Sequence, residues 1–181
     1  SFGGINLEDI SAPRCFEVEE KLKERLEIPV FHDDQHGTAI VTVSGIINSL
    51  KLVNKEFADL KVVLNGPGAA GTAIIKLLQE FGVKDIIACD REGALYPERE
   101  GLTDLHKMDL AKTTNPRHIK GDLAEAIKGA DCFIGVSVAG ALTKEMVKTM
   151  GENPIVFAMA NPVPEIMYDE AIESGVKIMG T

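Results

Sequence analysis

No apolar run in this sequence approaches the roughly 20 residues that a bilayer-crossing helix requires, so a membrane span is not expected. Basic residues are in deficit, 19 against 28 acidic ones for a net charge of -9, and no local basic patch offsets them. A surface of that sign repels a phosphate backbone, which excludes nucleic acid as the expected partner. Cysteine is sparse: Cys15, Cys89 and Cys132 are odd in number, far apart and without Cys-x-x-Cys spacing. Two of them lie in apolar, strand-like runs, where a free thiol behaves as a small buried hydrophobe, the pattern of a reducing, cytoplasmic setting. There is no initiator methionine, no charged segment leading into an apolar one that would mark a signal peptide, and no internal repeat or low-complexity linker.

What is present is ordinary for a globular chain. Its 181 residues, 45% hydrophobic and 26% charged, suffice for one ample core, as one domain or one domain with an appendage. Both ends read as structured sequence, so the chain is expected to be an excerpt. After an irregular start with Gly3, Gly4 and Asn6, Pro13 opens a surface helix with Cys15, Val18, Leu22 and Leu26 on its apolar face. A brief β-rich run at 28–31 leads to the corner His32-Asp-Asp-Gln-His36, and a long amphipathic helix covers 38–55.

From residue 61 the pattern becomes strand, glycine turn, helix and strand: 61–65, Gly66-Pro-Gly-Ala-Ala-Gly71, 72–81 closed by Gly82, and 85–90. The next forty residues are polar and broken, with helical pieces near 104–112 and 122–128 and no clear third strand. Strands are expected again at 131–136, 155–160 and 176–179, with a helix over 143–150 and another after Pro164. Near-continuous apolar strands alternating with amphipathic helices specify an α/β fold, a Rossmann-like, doubly wound and mostly parallel sheet with helices on both faces.

Gly66-x-Gly68-x-x-Gly71 follows a strand and opens a helix, the context in which this spacing carries meaning. The first glycine permits the tight turn, the second lets backbone approach a pyrophosphate, and the third lets helix and strand pack closely. The free amides at the helix start favour the anion. Asp90, nineteen positions beyond Gly71, suits an acid accepting from both ribose hydroxyls, which favours NAD. Arg91 beside it leaves NADP open. Ser137, in Gly135-Val-Ser-Val-Ala-Gly140, reads equally as turn chemistry or as a ligand contact. Asn161, an amide at a strand's end, reads as functional.

The two histidines of the corner have the i, i+4 spacing of a zinc helix, but Pro29 before them and Gly37 after them leave too little helix to hold both rings on one face. The acids suit a harder ion. Glu8 and Asp9, with Asp33 or Asp34, could offer the oxygen ligands that Mg²⁺ or Mn²⁺ prefer, provided the backbone at 8–9 is irregular, since neighbours on a regular strand point to opposite faces. By the same geometry Asp33 and Asp34 should serve different purposes.

Four motifs in order, Ile5-Asn-Leu-Glu-Asp-Ile10, Phe31-His-Asp-Asp-Gln-His-Gly-Thr-Ala39, Gly66-Pro-Gly-Ala-Ala-Gly71 and Asn161-Pro-Val-Pro-Glu165, resemble the bacterial and archaeal malic enzymes across essentially the whole chain. The resemblance implies oxidative decarboxylation of L-malate to pyruvate and CO₂ with NAD (NADP possible) and Mg²⁺ or Mn²⁺, in a homodimer. It implies Glu8, Asp9 and Asp34 as metal ligands and Asp33 as a catalytic acid that orients the base. It places the pyrophosphate on Pro67, Gly68, Ala69, Ala70 and Gly71 and Asn161 against cofactor and substrate near the nicotinamide, and Gly66, Asp90, Arg91 and Ser137 complete the candidate cofactor set from the residue reading above. It divides the chain into a remainder of the substrate and metal-binding domain at 1–37, a connecting helix at 38–60 and the NAD(P)-binding domain at 61–181. The family's proton-moving Lys and Tyr lie upstream of the Phe-Gly-Gly stretch, so this chain alone is expected to turn over malate poorly. Malolactic conversion to lactate, and a non-catalytic NAD-binding module, are the alternatives.

Overall fold

The computed structural model describes residues 2–181. Two sheets organise it. The small one pairs β1 (Ile5–Leu7) in parallel with β2 (Val30–His32), and α1 (Arg14–Arg25) connects them. The irregular backbone expected at the start holds for 2–4, with a bend at Gly3, but not for Asn6: residues 5–7 are regular strand, and a second break falls at Asp9, whose φ is 57°.

The large sheet has six strands: β3 (Lys61–Asn65), β4 (Asp85–Asp90), β5 (Gly93–Ala94), β6 (Cys132–Gly135), β7 (Ile155–Ala158) and β8 (Ile178–Gly180). Their order is β5-β4-β3-β6-β7-β8, parallel throughout except for β5, a two-residue antiparallel edge in the stretch where no clear strand was expected. So short a pair cannot show a period, which is why the sequence conceals it. Helices α2 (Thr38–Val53), α3 (Ala69–Glu80), α4 (Leu105–Thr113), α5 (Leu123–Ala126), α6 (Lys144–Lys148) and α7 (Tyr168–Glu173) complete the chain. None of the described helices is long and apolar enough to cross a membrane.

Alternation along the strands builds the two apolar layers. Val62, Leu64, Ile86, Ala88, Cys132, Ile134 and Ile155 face one layer, which α2, α3 and α4 cover with Val43, Ile46, Ile74, Leu78 and Leu110. The intervening Val63, Ile87, Cys89, Phe133 and Val156 face the other, covered through Ala126, Val147 and Ala171 of the last three helices. The 38–60 segment is thus more than a connector, because one face of α2 is part of the core. Several element ends differ from the expected ones: α3 begins at Ala69, inside the glycine motif, and α6 shrinks to five residues capped by the Thr143 hydroxyl, which accepts from the Met146 amide. On α1, Leu26 lies past the helix end and is exposed, while Glu19 is buried in its place.

Candidate functional site

In this strand order the chain leaves β3 toward β4 on one side and resumes at β6 on the other, so the crevice at the carboxyl ends of β3 and β6 is the topological switch point. The glycine turn sits in that crevice. Gly66 has φ +107°, and a Cβ there would lie 2.4 Å from the carbonyl oxygen of Val136 at the end of β6. A Cβ on Gly71 would lie 2.2 Å from the Gly66 carbonyl. Gly68 differs from both: a Cβ on it would meet nothing within 4 Å. Packing therefore dictates the first and third glycines, whereas the second borders open space at the start of α3, whose leading amides have no intrahelical partners.

A cavity of 390 Å³ opens beside this turn, lined by Asn65, Gly66, Pro67, Asp90, Arg91, Ser137 and Val138 among others. A smaller one of 260 Å³ shares Gly66 and Pro67 with it and extends to Gly68, Lys107 and Pro13. The structure thus brings the turn, Asp90, Arg91 and Ser137 to one crevice. Asn161 stands exposed beyond the end of β7 and lines neither cavity.

Asp90 is not a free acceptor. Its two oxygens accept from Arg99 at 2.8 and 2.7 Å, from Lys107 at 2.7 Å and from the Glu92 amide at 3.0 Å. Burial pushes its carboxyl up, but these donors outweigh burial and hold it well below the usual carboxylate range. Arg91, by contrast, is exposed and makes no ion pair among the described residues.

Ser137 is fixed by a residue to which sequence reasoning assigned no role. Glu165 is fully buried, and one of its oxygens accepts from the Ser137 amide at 2.7 Å and hydroxyl at 2.8 Å while the other accepts from the Ala160 amide at 3.0 Å. It ties the ends of β6 and β7 together, and a Cβ on Gly135 would collide with its carboxylate at 2.3 Å. The Pro-Val-Pro-Glu run carried the residue in view, but nothing local in it signals a buried acid.

The acidic corner is a single turn of π-helix, Asp33–Gly37, continuous with α2 and packed on α3. Wide turns of this kind frequently mark functional sites. The Asp33 carboxylate folds over Gly37, where a Cβ would come within 2.2 Å of its Oδ1. The Asp9 amide donates to Asp34 Oδ2 at 2.8 Å, so the turn at 8–9 and the corner are neighbours. Glu8 instead accepts from the Asn6 amide side chain at 2.9 Å. Among the described residues no three His, Cys, Asp or Glu side chains converge closely enough to hold an ion. Glu8, Asp9 and Asp34 nevertheless present carboxylate oxygens of the kind hard cations take, with Glu8 and Asp9 exposed and Asp34 half-buried.

The two histidines part company. His32 is fully buried with neither ring nitrogen partnered, its Nδ1 4.0 Å from Asp34 Oδ2. His36 pairs at 2.7 Å with Glu19, which also accepts from Lys23 and Gln35. Burial raises the Glu19 carboxyl, and Lys23 and His36 more than reverse that, leaving it below its ordinary value.

A parallel sheet with a glycine turn at its switch point and an anion-ready helix start defines a dinucleotide-binding domain of the Rossmann type. Residues 35–174 match the family model of the malic enzyme NAD-binding domain, and the chain belongs to that family. It is 59% identical over its whole length to the bifunctional malic/malolactic enzyme of Bacillus subtilis, covering 44% of that protein, and 56% identical to the NAD-dependent malic enzyme of Geobacillus stearothermophilus, covering 37%. Among solved structures, that of an NAD-dependent malic enzyme from Thermotoga maritima superimposes with a TM-score of 0.96 at 49% identity, spanning 98% of this chain and 48% of the other. The chain therefore spans less than half the length of these relatives.

Proposed function

We propose that the chain supplies the cofactor pocket and the divalent-cation edge of an enzyme that oxidatively decarboxylates L-malate to pyruvate and CO₂ with reduction of NAD(P). The observation that carries this is the open space above Gly68 at the switch point, with the Asp33 and Asp34 corner packed on the same helix, α3. The relatives named malic enzymes support it.

In this reading the amides from Gly68 onward hold the pyrophosphate, Asp90 and Arg91 border the adenosine ribose, Ser137 flanks the crevice, and Asn161, outside both cavities, meets the nicotinamide end of the cofactor. Glu8, Asp9 and Asp34 would hold Mg²⁺ or Mn²⁺, with Glu8 leaving Asn6 to do so. The bound dinucleotide accepts hydride, and the ion supplies Lewis-acid polarisation of the substrate's oxygens. Asp33, kept over Gly37, orients a proton-moving group. Groups that move protons at the substrate belong to the remainder of the longer enzymes, so the isolated chain binds its ligands without sustained turnover. Ile40, Val41 and Leu52 are large apolar side chains exposed on α2, which supports a homodimer.

Calorimetric titration of Mn²⁺ into the chain and into Asp34→Ala, with and without malate, tests the metal edge. Binding that malate strengthens and the substitution abolishes is expected; equal binding in both proteins removes the site. A second reading, conversion of malate to lactate, is favoured by the name of the Bacillus subtilis relative. Analysis of the product from malate, pyruvate against lactate, separates the two.

A further inference from the structure

Buried acids in this chain are not all neutralised. Asp90 holds Arg99 and Lys107, and Glu19 holds Lys23 and His36. Glu165 has no exposed surface and, among the described residues, no cation paired with it. Its partners are neutral donors alone, the Ser137 amide and hydroxyl on Oε1 and the Ala160 amide on Oε2. A carboxylic acid would need an acceptor for its own O–H, and none is in contact, so the group sits there as the anion, which only accepts. Lys144 is the one cation lining the 600 Å³ cavity beside it, and Glu173 takes that ammonium at 2.8 Å. Glu145 and Glu170, on the same cavity, are acids. Nothing on that side offsets the charge, and an unpaired charge in the interior acts over a longer range than one in water.

Its position gives the charge a direction. Glu165 joins the carboxyl ends of β6 and β7, and the amide it takes from Ala160 immediately precedes Asn161. The strand order is β5-β4-β3-β6-β7-β8. A dinucleotide with its adenosine ribose at Asp90, on the end of β4, and its pyrophosphate at the turn after β3 carries its nicotinamide across the switch point, over β6 and β7. The oxidised nicotinamide ring bears a positive charge, and the reduced ring does not.

We propose that the Glu165 carboxylate favours the oxidised dinucleotide over the reduced one, biasing the site toward taking up NAD(P) and releasing NAD(P)H. This rests on the reading of the crevice as an NAD(P) site. Having no exposed surface, Glu165 touches no ligand and acts through its charge.

Calorimetric titration of NAD, NADH, NADP and NADPH into the unmodified chain, Glu165→Gln and Ser137→Ala provides the test. The unmodified chain should bind the oxidised member of a pair no more weakly than the reduced one. Glu165→Gln keeps the shape and removes the charge, so the ratio of oxidised to reduced affinity should fall about three- to ten-fold, as loss of a unit charge acting over about 10 Å does. Ser137→Ala removes one hydrogen bond and leaves the charge, so it should lower both affinities together. A Glu165→Gln protein whose two affinities fall alike overturns the inference and leaves the cofactor reading standing, with Glu165 a structural tie between β6 and β7. An equal change of ratio in Ser137→Ala also overturns it, because geometry rather than charge would then discriminate. Should Glu165→Gln not fold, the unmodified chain still decides, since a ten-fold or greater preference for the reduced member overturns the inference. Binding of none of the dinucleotides overturns the cofactor reading and the inference with it.

Discussion

Asp90 illustrates how one side chain can define a pocket's rim and anchor the segment that follows it. Its partners Arg99 and Lys107 lie nine and seventeen residues on, across β5 and into α4, so the carboxylate ties the polar stretch between them to the end of β4. Both members of the Asp90–Arg99 pair are over nine-tenths buried, and Asp90→Asn leaves the guanidinium without its counter-charge. A loss of about 3 kcal/mol at pH 7 is expected from removing one member of a buried pair. The pH dependence has a definite sign. The native carboxyl titrates below the unfolded value of about 3.9, so its contribution is complete above that pH and lost as pH falls toward the native value. Urea denaturation of both proteins at pH 7 and pH 3 should show the gap narrowing at the lower pH. A gap of the same size at both would mean that the charge is not what stabilises the segment.

At the scale of elements, the strand-turn-helix of β3 and α3 separates what folding requires from what a ligand requires. Gly71→Ala thrusts a methyl at the Gly66 carbonyl and the Leu64 side chain, and should cost about 2 kcal/mol, as overpacking does. Gly68→Ala meets no protein atom, so its melting temperature should match that of the unmodified chain, while NAD(P) affinity falls about ten-fold or more because the methyl occupies the pyrophosphate approach. Thermal denaturation beside cofactor titration reads both, and a Gly68→Ala protein with undiminished affinity would remove the turn from the site. This element was legible in sequence because its determinants are local: an apolar run, three glycines at fixed spacing and a helical period. The same holds for β4, whose bounds match the expectation residue for residue. Glu165, Glu19 and the partners of Asp90 were illegible for the opposite reason. Glu165 meets Ser137 across 28 positions and Glu19 meets His36 across 17, and no spacing rule connects residues that only the tertiary fold makes neighbours. A buried acid on a helix face also reads as a solvated one until its partner is known.

The whole molecule consists of two unequal bodies of packing, and the three thiols sample both. Cys89 and Cys132 lie in β4 and β6, one in each of the two apolar layers. Cys15 lies on α1 against the small sheet and belongs to neither layer. Burial raises all three, Cys89 to about 12 and Cys132 and Cys15 also above their ordinary value, and none has exposed surface. Thiolate is the reactive form, so alkylation in the native state should be negligible and its onset reports opening of the surrounding structure. A two-stranded sheet is marginal by itself, and the small body leans on the large one through the Glu19, Gln35 and His36 cluster. Opening of the small body should therefore precede global unfolding. In pulses of iodoacetamide at increasing urea, with the modified peptides resolved by mass spectrometry, Cys15 should become labelled at lower urea than Cys89 and Cys132, and those two together. The substitution Glu19→Gln, which weakens the tie to His36, should move the Cys15 midpoint lower and leave the separation from the other two wider. Coincident midpoints for all three thiols in both proteins would show instead that α1 with the small sheet and the dinucleotide sheet unfold as one unit.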